Sequence, residues 1–448
     1  MVPEIQICHA ETKPKVLMSW YINKPSLDLR LLRECHKDNP VSGAKMWQKT
    51  YLTFALLVMV AWADHHEGHN HTDHSADHHL EERTIYNTDF AFALYEKLSN
   101  NADAKGKNIF FSPLSISMAL SMLALGAKKE THSQIFSTLG YSSLTEDQVN
   151  EAYEHLLHML DHSQEAMLLE TGGGLAVREG FKPVDKFLKD LQHFYHAEAF
   201  TVDFSKADVA VQEINKFIAK KTNDTITDMV KSLDPDTIMV LINYIYFRGK
   251  WQKPFLEGAT HKSNFYVDEN TTVTVDMMIL RDAEFNFHIT KSFSIIQLCY
   301  TGNAFMLIIL PAEGKMEEVE KQMSSFQIRN WLDKGHQRSE IYMPKFSISA
   351  SACLGDILKE MGIVDAFSDK ADFSGMSEDT ELKVSNVLHK AVLTVDEKGT
   401  EAAGTTTVDV IDKSMPLIIK INRPFLVYIW EESLKSLLFM GKIVNPTL

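Results

Sequence analysis

The chain has 448 residues, of which 45% are hydrophobic and 23% are charged, the composition of an ordinary globular protein. Its 60 acidic and 45 basic residues give a formal net charge of −15 at pH 7, which argues against nucleic acid as a partner because surfaces that bind nucleic acid are basic. No internal repeat or Pro/Gly-rich linker divides residues 82–448, so we predict a single domain there.

The amino-terminal part has the features of an export signal. Residues 46–63 contain a lysine, a short apolar stretch and Ala61-Trp62-Ala63, the layout of a secretory signal peptide with an Ala-x-Ala cleavage site. The stretch is too short for a membrane span, which needs about 20 apolar residues. We therefore expect a secreted, extracellular protein. Because signals lie at the amino terminus, residues 1–45 are interpreted as a disordered gene-model extension before a true start at Met46; the alternative is a real extension that leaves the signal internal.

Residues 64–81 form a low-complexity stretch rich in histidine and acidic residues. Histidine-rich tracts can bind zinc or copper, but no fixed ligand spacing distinguishes a site in this one. We predict a disordered, solvated tail and no metal site.

Sequons and cysteines suit an extracellular protein of this size. N-glycosylation sequons occur at Asn70, Asn223 and Asn270, and each marks exposed chain if it is used. Beyond residue 63 the cysteines are Cys299 and Cys353, which could pair in a secreted protein. We favour two free, mostly buried thiols, because a domain this large builds its own core without a bridge.

The folded domain is predicted to begin near Glu82, with a helix start at Thr88-Asp89. A short strand at residues 108–111 then leads into a helix. Ser112, followed by a proline, is a typical residue to cap that helix. The hydroxyl groups embedded in its apolar sequence need hydrogen-bond partners if they are buried.

Residues 172–174 are three glycines, but they lack the Gly-Lys-Ser/Thr of a phosphate-binding loop and the spacing of a dinucleotide fingerprint, so we reject both.

Residues 238–247 are β-branched and aromatic and are bounded by turn residues, which predicts a buried strand. Asn243 in its middle is costly unless it is hydrogen-bonded. Strands and helices mix without a regular βαβ repeat, which favours an α+β fold. Further strands are predicted at 305–310, 340–348, 391–395 and in three runs after residue 416, and helices at 184–195, 316–332 and 353–361.

A connection of roughly twenty residues separates the predicted strand 391–395 from the one that begins at Leu417, and connections of that length usually have a function. Its first half is rich in small residues and threonine. Read as a strand, it places its charges Glu401 and Asp409 on one face. The other face is small or apolar, with Thr400, Ala402, Gly404, Thr406, Val408 and Val410.

This connection, together with the motifs at 422–425 and 439–446, resembles the serpin family and in particular its alpha-1-antitrypsin-like members. The resemblance covers essentially all of residues 82–448. It implies an α+β fold with three β-sheets, about nine helices and an exposed reactive-centre loop. It also implies a monomeric inhibitor of serine proteases that acts as a suicide substrate: the protease is trapped as an acyl-enzyme and carried along when loop residues 400–412 insert into the main sheet.

The resemblance also assigns residues to this mechanism. Counting along the loop puts the cleaved bond between Lys413 and Ser414, so the expected partner is a trypsin-like serine protease. The loop hinge comprises Glu397, Gly399, Thr400, Glu401, Ala402, Ala403 and Gly404. The residues that control opening of the main sheet, in its shutter and breach regions, are Ser112, Ser115, Asn243, Trp251, Lys345 and His389.

Two other functions are weighed against inhibition of this kind. A non-inhibitory serpin that carries a hormone or small ligand would not need an insertable loop. A heparin-controlled inhibitor would need basic residues along the helix after Thr145, where the sequence has Glu146, Asp147, Glu151 and Glu154. No nucleophile elbow, zinc-binding helix motif or catalytic Cys/His signature is found, so we expect neither an enzyme nor a cofactor.

Overall fold

The computed structural model describes residues 73–101, 104–162, 167–324, 335–377, 382–398 and 416–448. All of them belong to the second of two units, Thr72–Leu448. The predicted extension 1–45, signal peptide 46–63 and sequon at Asn70 lie outside the described residues. So do the loop residues 399–415.

The described residues contain eight α-helices and two short 3-10 helices, Glu257–Ala259 and Asp365–Phe367. The α-helices are α1 (Asp73–Asn100), α2 (Pro113–Gly126), α3 (Lys129–Thr138), α4 (Glu146–His162), α5 (Asp185–Tyr195), α6 (Ala207–Lys221), α7 (Met316–Gln322) and α8 (Gly355–Glu360).

The predicted helix start at Thr88-Asp89 was wrong, because α1 begins at Asp73. Thr88 lies inside the helix and is buried. Neither glycine nor proline occurs in the helix to interrupt it, and its first residue is an aspartate, which suits a helix amino terminus. The division between tail and domain at residues 81 and 82 stays a prediction.

Fourteen strands occur in the described residues: β1 (Ile109–Phe111), β2 (Met167–Arg178), β3 (Glu198–Val202), β4 (Met239–Gly249), β5 (His261–Tyr266), β6 (Thr272–Ile289), β7 (Phe293–Cys299), β8 (Ala304–Pro311), β9 (His336–Pro344), β10 (Phe346–Cys353), β11 (Asn386–Val395), β12 (Leu417–Lys420), β13 (Phe425–Glu431) and β14 (Ser436–Ile443).

The strands form a five-stranded sheet of order β10-β11-β4-β2-β3 and a nine-stranded sheet of order β1-β14-β13-β8-β7-β6-β9-β12, with β5 paired to β6. The predicted α+β architecture is confirmed. The resemblance implied three sheets, whereas the described strands pair into two, and the nine-stranded one contains the long strand β6. Its first residues pair with β5 and its last with β7, and its register against β9 shifts between Leu280 and Ala283.

Two hydrophobic clusters hold these layers together. The larger includes α2, which is buried along its whole length because apolar residues lie on every side of it and its three serine hydroxyls are hydrogen-bonded. The smaller lies on the opposite face of the five-stranded sheet, where Ala210, Ile214 and Ile218 of α6 recur every four residues and pack with Val240 and Ile242 of β4. Helix α6 therefore covers one face of this sheet.

The glycine run lies inside β2, in agreement with the rejection of a phosphate-binding loop. A Cβ on Gly173 would lie 2.6 Å from the carbonyl oxygen of Ile242 in the neighbouring strand, so close approach of the two strands explains the glycine. Cys299 and Cys353 have free thiols, as predicted, but neither is fully buried: Cys299 is half-buried, and Cys353, at the end of the edge strand β10, is exposed. Asn223 and Asn270 are exposed.

Other boundaries differ from the predictions in detail. The strand predicted at 340–348 is two strands separated by Lys345, and the helix predicted from 353 begins at Gly355. Helix α7 ends at Gln322, and residues 325–332 of the predicted longer helix lie outside the described part of the chain. No helix in the ranges described is both long and apolar enough to cross a membrane.

Candidate sheet-opening site

The candidate site lies along the pairing of β4 with β11, which we call the seam. These neighbouring strands run parallel, with His389 opposite Asn243 and Lys390 opposite Tyr244. Strand β11 leads directly to residues 396–398, the last described residues before the predicted loop. The other neighbours of the two strands, β10 and β2, pair antiparallel to them.

A buried polar cluster crosses the seam on the side that faces α2. The backbone N–H of Ser112 donates to His389 Nε2 over 3.1 Å, and His389 Nδ1 lies 2.7 Å from Asn243 Oδ1. The Ser115 hydroxyl donates to the same oxygen over 2.8 Å, and the Asn243 amide donates to the Gly172 carbonyl at 3.3 Å. Because Nε2 accepts a hydrogen bond, Nδ1 carries the proton of a neutral ring. The structure thus brings Ser112, Ser115, Asn243 and His389 together.

The helix start at Ser112 explains why the cluster forms there. The Ser112 side chain accepts a hydrogen bond from the Ser115 N–H at 3.1 Å, with Pro113 in the first turn. Ser112 therefore caps α2 and, through its own backbone N–H, also contacts His389. Thr171, whose hydroxyl lies 3.3 Å from that of Ser115, was missed because its place beside the cluster depends on the pairing of β2 with β4.

Burial controls the protonation of His389. Its side chain is almost fully enclosed, and desolvation lowers its pKa from the ordinary 6.5 to about 3. The ring is therefore neutral at physiological pH, as its hydrogen bonds require.

Trp251 lies where the chain leaves the seam. Its indole N–H donates to the carbonyl of Asp396 over 2.8 Å, and its backbone N–H lies 3.4 Å from the carbonyl of Lys398. The ring is 5% exposed and stacks on Tyr300, with ring centroids 4.3 Å apart. The Phe255 N–H donates to the Glu397 carbonyl at 2.9 Å. Residues 396–398 are thus held to the segment that follows β4.

The Glu397 side chain connects the break between β9 and β10 with the residue that precedes β5. Its carboxylate accepts from Lys345 Nζ at 2.8 Å and from the Thr260 hydroxyl at 2.7 Å. Burial acts to raise the pKa of this carboxyl, but the hydrogen bonds from Lys345 and Thr260 together hold it below its usual value. The same hydrogen bond raises the pKa of Lys345. Thr260 was not foreseen, since nothing local in the sequence distinguishes it.

The other predicted loop residues, Gly399 to Gly404 and the bond between Lys413 and Ser414, lie outside the described residues. Within the described ranges, no group of three or more His, Cys, Asp or Glu residues is arranged to hold a metal ion.

A groove of about 410 Å³ lies elsewhere, on the nine-stranded sheet. Most of its lining is polar or charged, including Lys262, Asn264, Tyr342 and Lys420. Sites for apolar small molecules are instead lined mainly by hydrophobic and aromatic side chains. This groove does not have the character expected for a carrier of an apolar hormone.

Comparisons with known proteins agree with one another. The family model described as "Serpin (serine protease inhibitor)" matches residues 86–446. An alpha-1-antitrypsin homolog of Cyprinus carpio is 57% identical over 320 residues, 71% of this chain and 86% of that protein. Alpha-1-antiproteinase 2 of Equus caballus is 44% identical over 363 residues, 80% of this chain and 86% of that protein.

Solved structures give the same picture. Human glycosylated kallistatin is similar with a TM-score of 0.77 and 39% identity, over 83% of this chain and 99% of that one. Human thyroxine-binding globulin in complex with thyroxine is similar with a TM-score of 0.78 and 40% identity, over 83% of this chain and 100% of that one.

Proposed function

This chain belongs to the serpin family, and from that premise we propose that it is a secreted inhibitor of trypsin-like serine proteases that traps its target by inserting its own loop into the five-stranded sheet. Serpins are a family of protease inhibitors, but the thyroxine-bound neighbour shows that the fold also occurs in a protein that binds a small molecule. The proposal therefore rests on features of the seam and of the loop sequence.

The parallel pairing at the seam is the observation that carries the proposal. The loop follows β11 at its carboxyl end, so a loop that turns back along β11 runs antiparallel to it. Because β4 is parallel to β11, the same inserted strand also runs antiparallel to β4. Insertion therefore replaces one parallel pairing with two antiparallel ones, which are slightly more stable per residue.

The loop sequence supports this route. Its even-numbered positions from Thr400 to Val410 are small or apolar and suit the buried face of a strand, while Glu401 and Asp409 fall on the other face. Residues 400–413 extend over about 45 Å at about 3.3 Å per residue, enough to carry a bound protease far along the sheet. The intact protein is then a kinetic trap whose cleaved form has lower free energy.

The chemistry of trapping belongs to the protease. Its serine attacks the carbonyl of Lys413, and the Lys413–Ser414 peptide bond breaks as an acyl-enzyme forms at Lys413. The lysine side chain suits a cation-binding specificity pocket. If the loop inserts before water hydrolyses the ester bond between Lys413 and the protease serine, the protease stays attached.

The test is incubation with trypsin followed by boiling in detergent. We expect a covalent complex whose mass equals that of trypsin plus the inhibitor cleaved after Lys413, and no complex with trypsin whose active serine has been blocked. An intact chain, or a cleaved chain without complex, would favour the carrier function.

We also infer export through residues 46–63 and glycan attachment at Asn70, Asn223 and Asn270. Sequencing the amino terminus of the secreted protein should find a start at Asp64. Treatment with an amidase that releases the whole glycan and converts glycosylated Asn to Asp, followed by peptide mass measurement, should identify each occupied sequon.

A further inference from the structure

The groove on the nine-stranded sheet shares no residue with the seam. It crosses four strands, because its lining comes from β5, β6, β9 and β12 and from Asn422, which follows β12. Its volume of about 410 Å³ is that of a site for a small molecule. At one end the backbone N–H of Tyr266 donates to the carbonyl of Asn422 over 2.8 Å. The backbone therefore joins β5 directly to the chain beyond β12.

The charge of the groove has one sign. None of the nine described residues that line it is acidic, although the whole chain has a formal net charge of −15. Lys262 and Lys420 are the cations, and most of the other members carry an amide, hydroxyl or imidazole group that can donate a hydrogen bond. A recess lined by cations and donors without a carboxylate is complementary to an anion.

Lys420 is the cation that remains available to a ligand. It is exposed, and no carboxylate pairs with it in the described part of the chain. Its Nζ lies 5.5 Å from the centre of the Tyr342 ring, a cation–π contact, and the Tyr342 hydroxyl donates to Glu340 at 2.7 Å. Lys262, by contrast, forms a 2.9 Å ion pair with Asp276, its partner in the pairing of β5 with β6. An incoming anion would therefore gain most from Lys420.

The rest of the lining suits a polar molecule. The side-chain amides of Asn264 and Asn422 have no hydrogen-bond partner among the residues that the structure describes. Lys262, Asn264 and Tyr266 lie on one face of β5, because side chains alternate along a strand. Tyr266 is 49% exposed, so much of its ring is open to contact with a ligand. The groove thus offers a free cation, two amides and an aromatic ring.

We propose that this groove binds a small polar molecule that carries a sulfate or phosphate group. Lys420 holds the charged group, and Asn264 and Asn422 hydrogen-bond the polar remainder. Amides and an aromatic ring suit the hydroxyl groups and the flat faces of a sugar, so a sugar monoester is the probe to use. The inference goes beyond the proposed function and does not depend on it, because binding is measured without a protease.

The direct measurement is calorimetric titration of the intact protein with N-acetylglucosamine that bears a sulfate ester on its primary hydroxyl, and separately with the matching phosphate ester. The better of the two should bind at least about tenfold more tightly than neutral N-acetylglucosamine, because only an ester adds a charge-assisted hydrogen bond with Lys420. The comparison of the two esters identifies the anionic group that the groove prefers.

Variants of Lys420 test whether the groove is the place of binding. Lys420→Gln removes the free cation at an exposed position, where the fold should tolerate it, and should weaken binding of the preferred ester about tenfold. Lys420→Arg keeps the charge and should retain most of the affinity. The control is Lys216→Gln in α6, which removes another exposed lysine that has no ion pair within the described ranges. It should bind the ester as tightly as the parent.

Three results would overturn the proposal. Equal affinity for the preferred ester and the neutral sugar would show that no cation contributes to binding. Equal losses in Lys420→Gln and Lys216→Gln would show that the surface as a whole attracts the anion. Binding of dextran sulfate, with neither monoester bound, would show that the basic residues belong to a surface for an extended chain instead of a small-molecule site. Because no measurement uses trypsin, these results and the failure of the proposed inhibition are distinguishable.

Discussion

Lowering the pH should destabilise the folded protein through one enclosed residue, His389. In the fold, Nε2 accepts from the Ser112 N–H, so a proton on that nitrogen would set two donors against each other. Burial lowers the pKa of His389 to about 3, against an ordinary value of 6.5. A group whose folded pKa is depressed in this way binds a proton first in the unfolded chain, so stability falls as the pH drops from 6.5 towards 3.

The size of the effect follows from the two pKa values. At about pH 5 the unfolded chain carries nearly a full proton at His389 and the folded chain almost none, which corresponds to a loss of about 2 kcal/mol relative to about pH 7.5. Urea unfolding followed by intrinsic fluorescence at the two pH values measures this loss. The chain has 19 histidines, and other groups also titrate over this pH interval. The control is therefore His389→Gln, which lacks only the His389 contribution.

The quantity to compare is the stability that each protein loses between about pH 7.5 and about pH 5. The stability of each protein at a single pH is not informative. The parent should lose about 2 kcal/mol more than His389→Gln over this pH interval. His389→Gln will have a lower stability at neutral pH because it disturbs the cluster with Asn243, but this offset cancels in the comparison. Equal losses would show that His389 titrates near its ordinary value and that the assigned hydrogen bonds do not fix its tautomer.

Three further predictions concern the loop and its attachment. Lys413→Met should weaken inhibition of trypsin and favour proteases with apolar specificity pockets; mass measurement that finds the cut at another bond would refute the assigned register. Thr400→Arg should put an unpaired charge on the inserting face and convert the inhibitor into a substrate. Glu401→Arg should change the moles of inhibitor consumed per mole of trypsin only a little. Similar values of this ratio for the two variants would mean that the alternation of the loop side chains is irrelevant. Glu397→Lys should lose an ion pair to Lys345 worth about 0.2–1 kcal/mol and increase polymer formation on mild heating, as should Lys345→Glu; if native gels show only monomer for both, the pair does not keep the sheet closed.

The residue composition of short segments was enough to predict the strand centres, which depend on local sequence. Strand β4 was predicted from its β-branched and aromatic residues, and Asn243 stood out because an amide is unexpected in such a strand. Its grouping with His389 came from the family resemblance, since these residues lie 146 positions apart and no spacing rule relates them. Thr260 was missed for the same reason: its hydroxyl contacts Glu397 only after the chain has folded.

Helix ends were harder to predict than strand centres. The sequence predicted a helix start at Thr88, but neither glycine nor proline lies between Asp73 and Thr88 to stop a helix, and α1 begins at Asp73. The break between β9 and β10 at Lys345 was also missed. The backbone N–H of Lys345 donates instead to Asp276 of β6 at 2.8 Å, a contact that the sequence does not reveal.

The position of β13 and β14 has a consequence for biosynthesis. These strands come last among the described residues, yet they lie inside the nine-stranded sheet, between β1 and β8, and every residue of β13 is buried. A nascent chain that has emerged only as far as β12 therefore holds β8 with an unpaired edge and β1 without its partner β14. Such edges recruit strands from other molecules. We therefore expect the ribosome-bound chain to be prone to aggregation until its final strands are released. A chain shortened before Phe425 should aggregate or be degraded instead of forming a smaller folded protein.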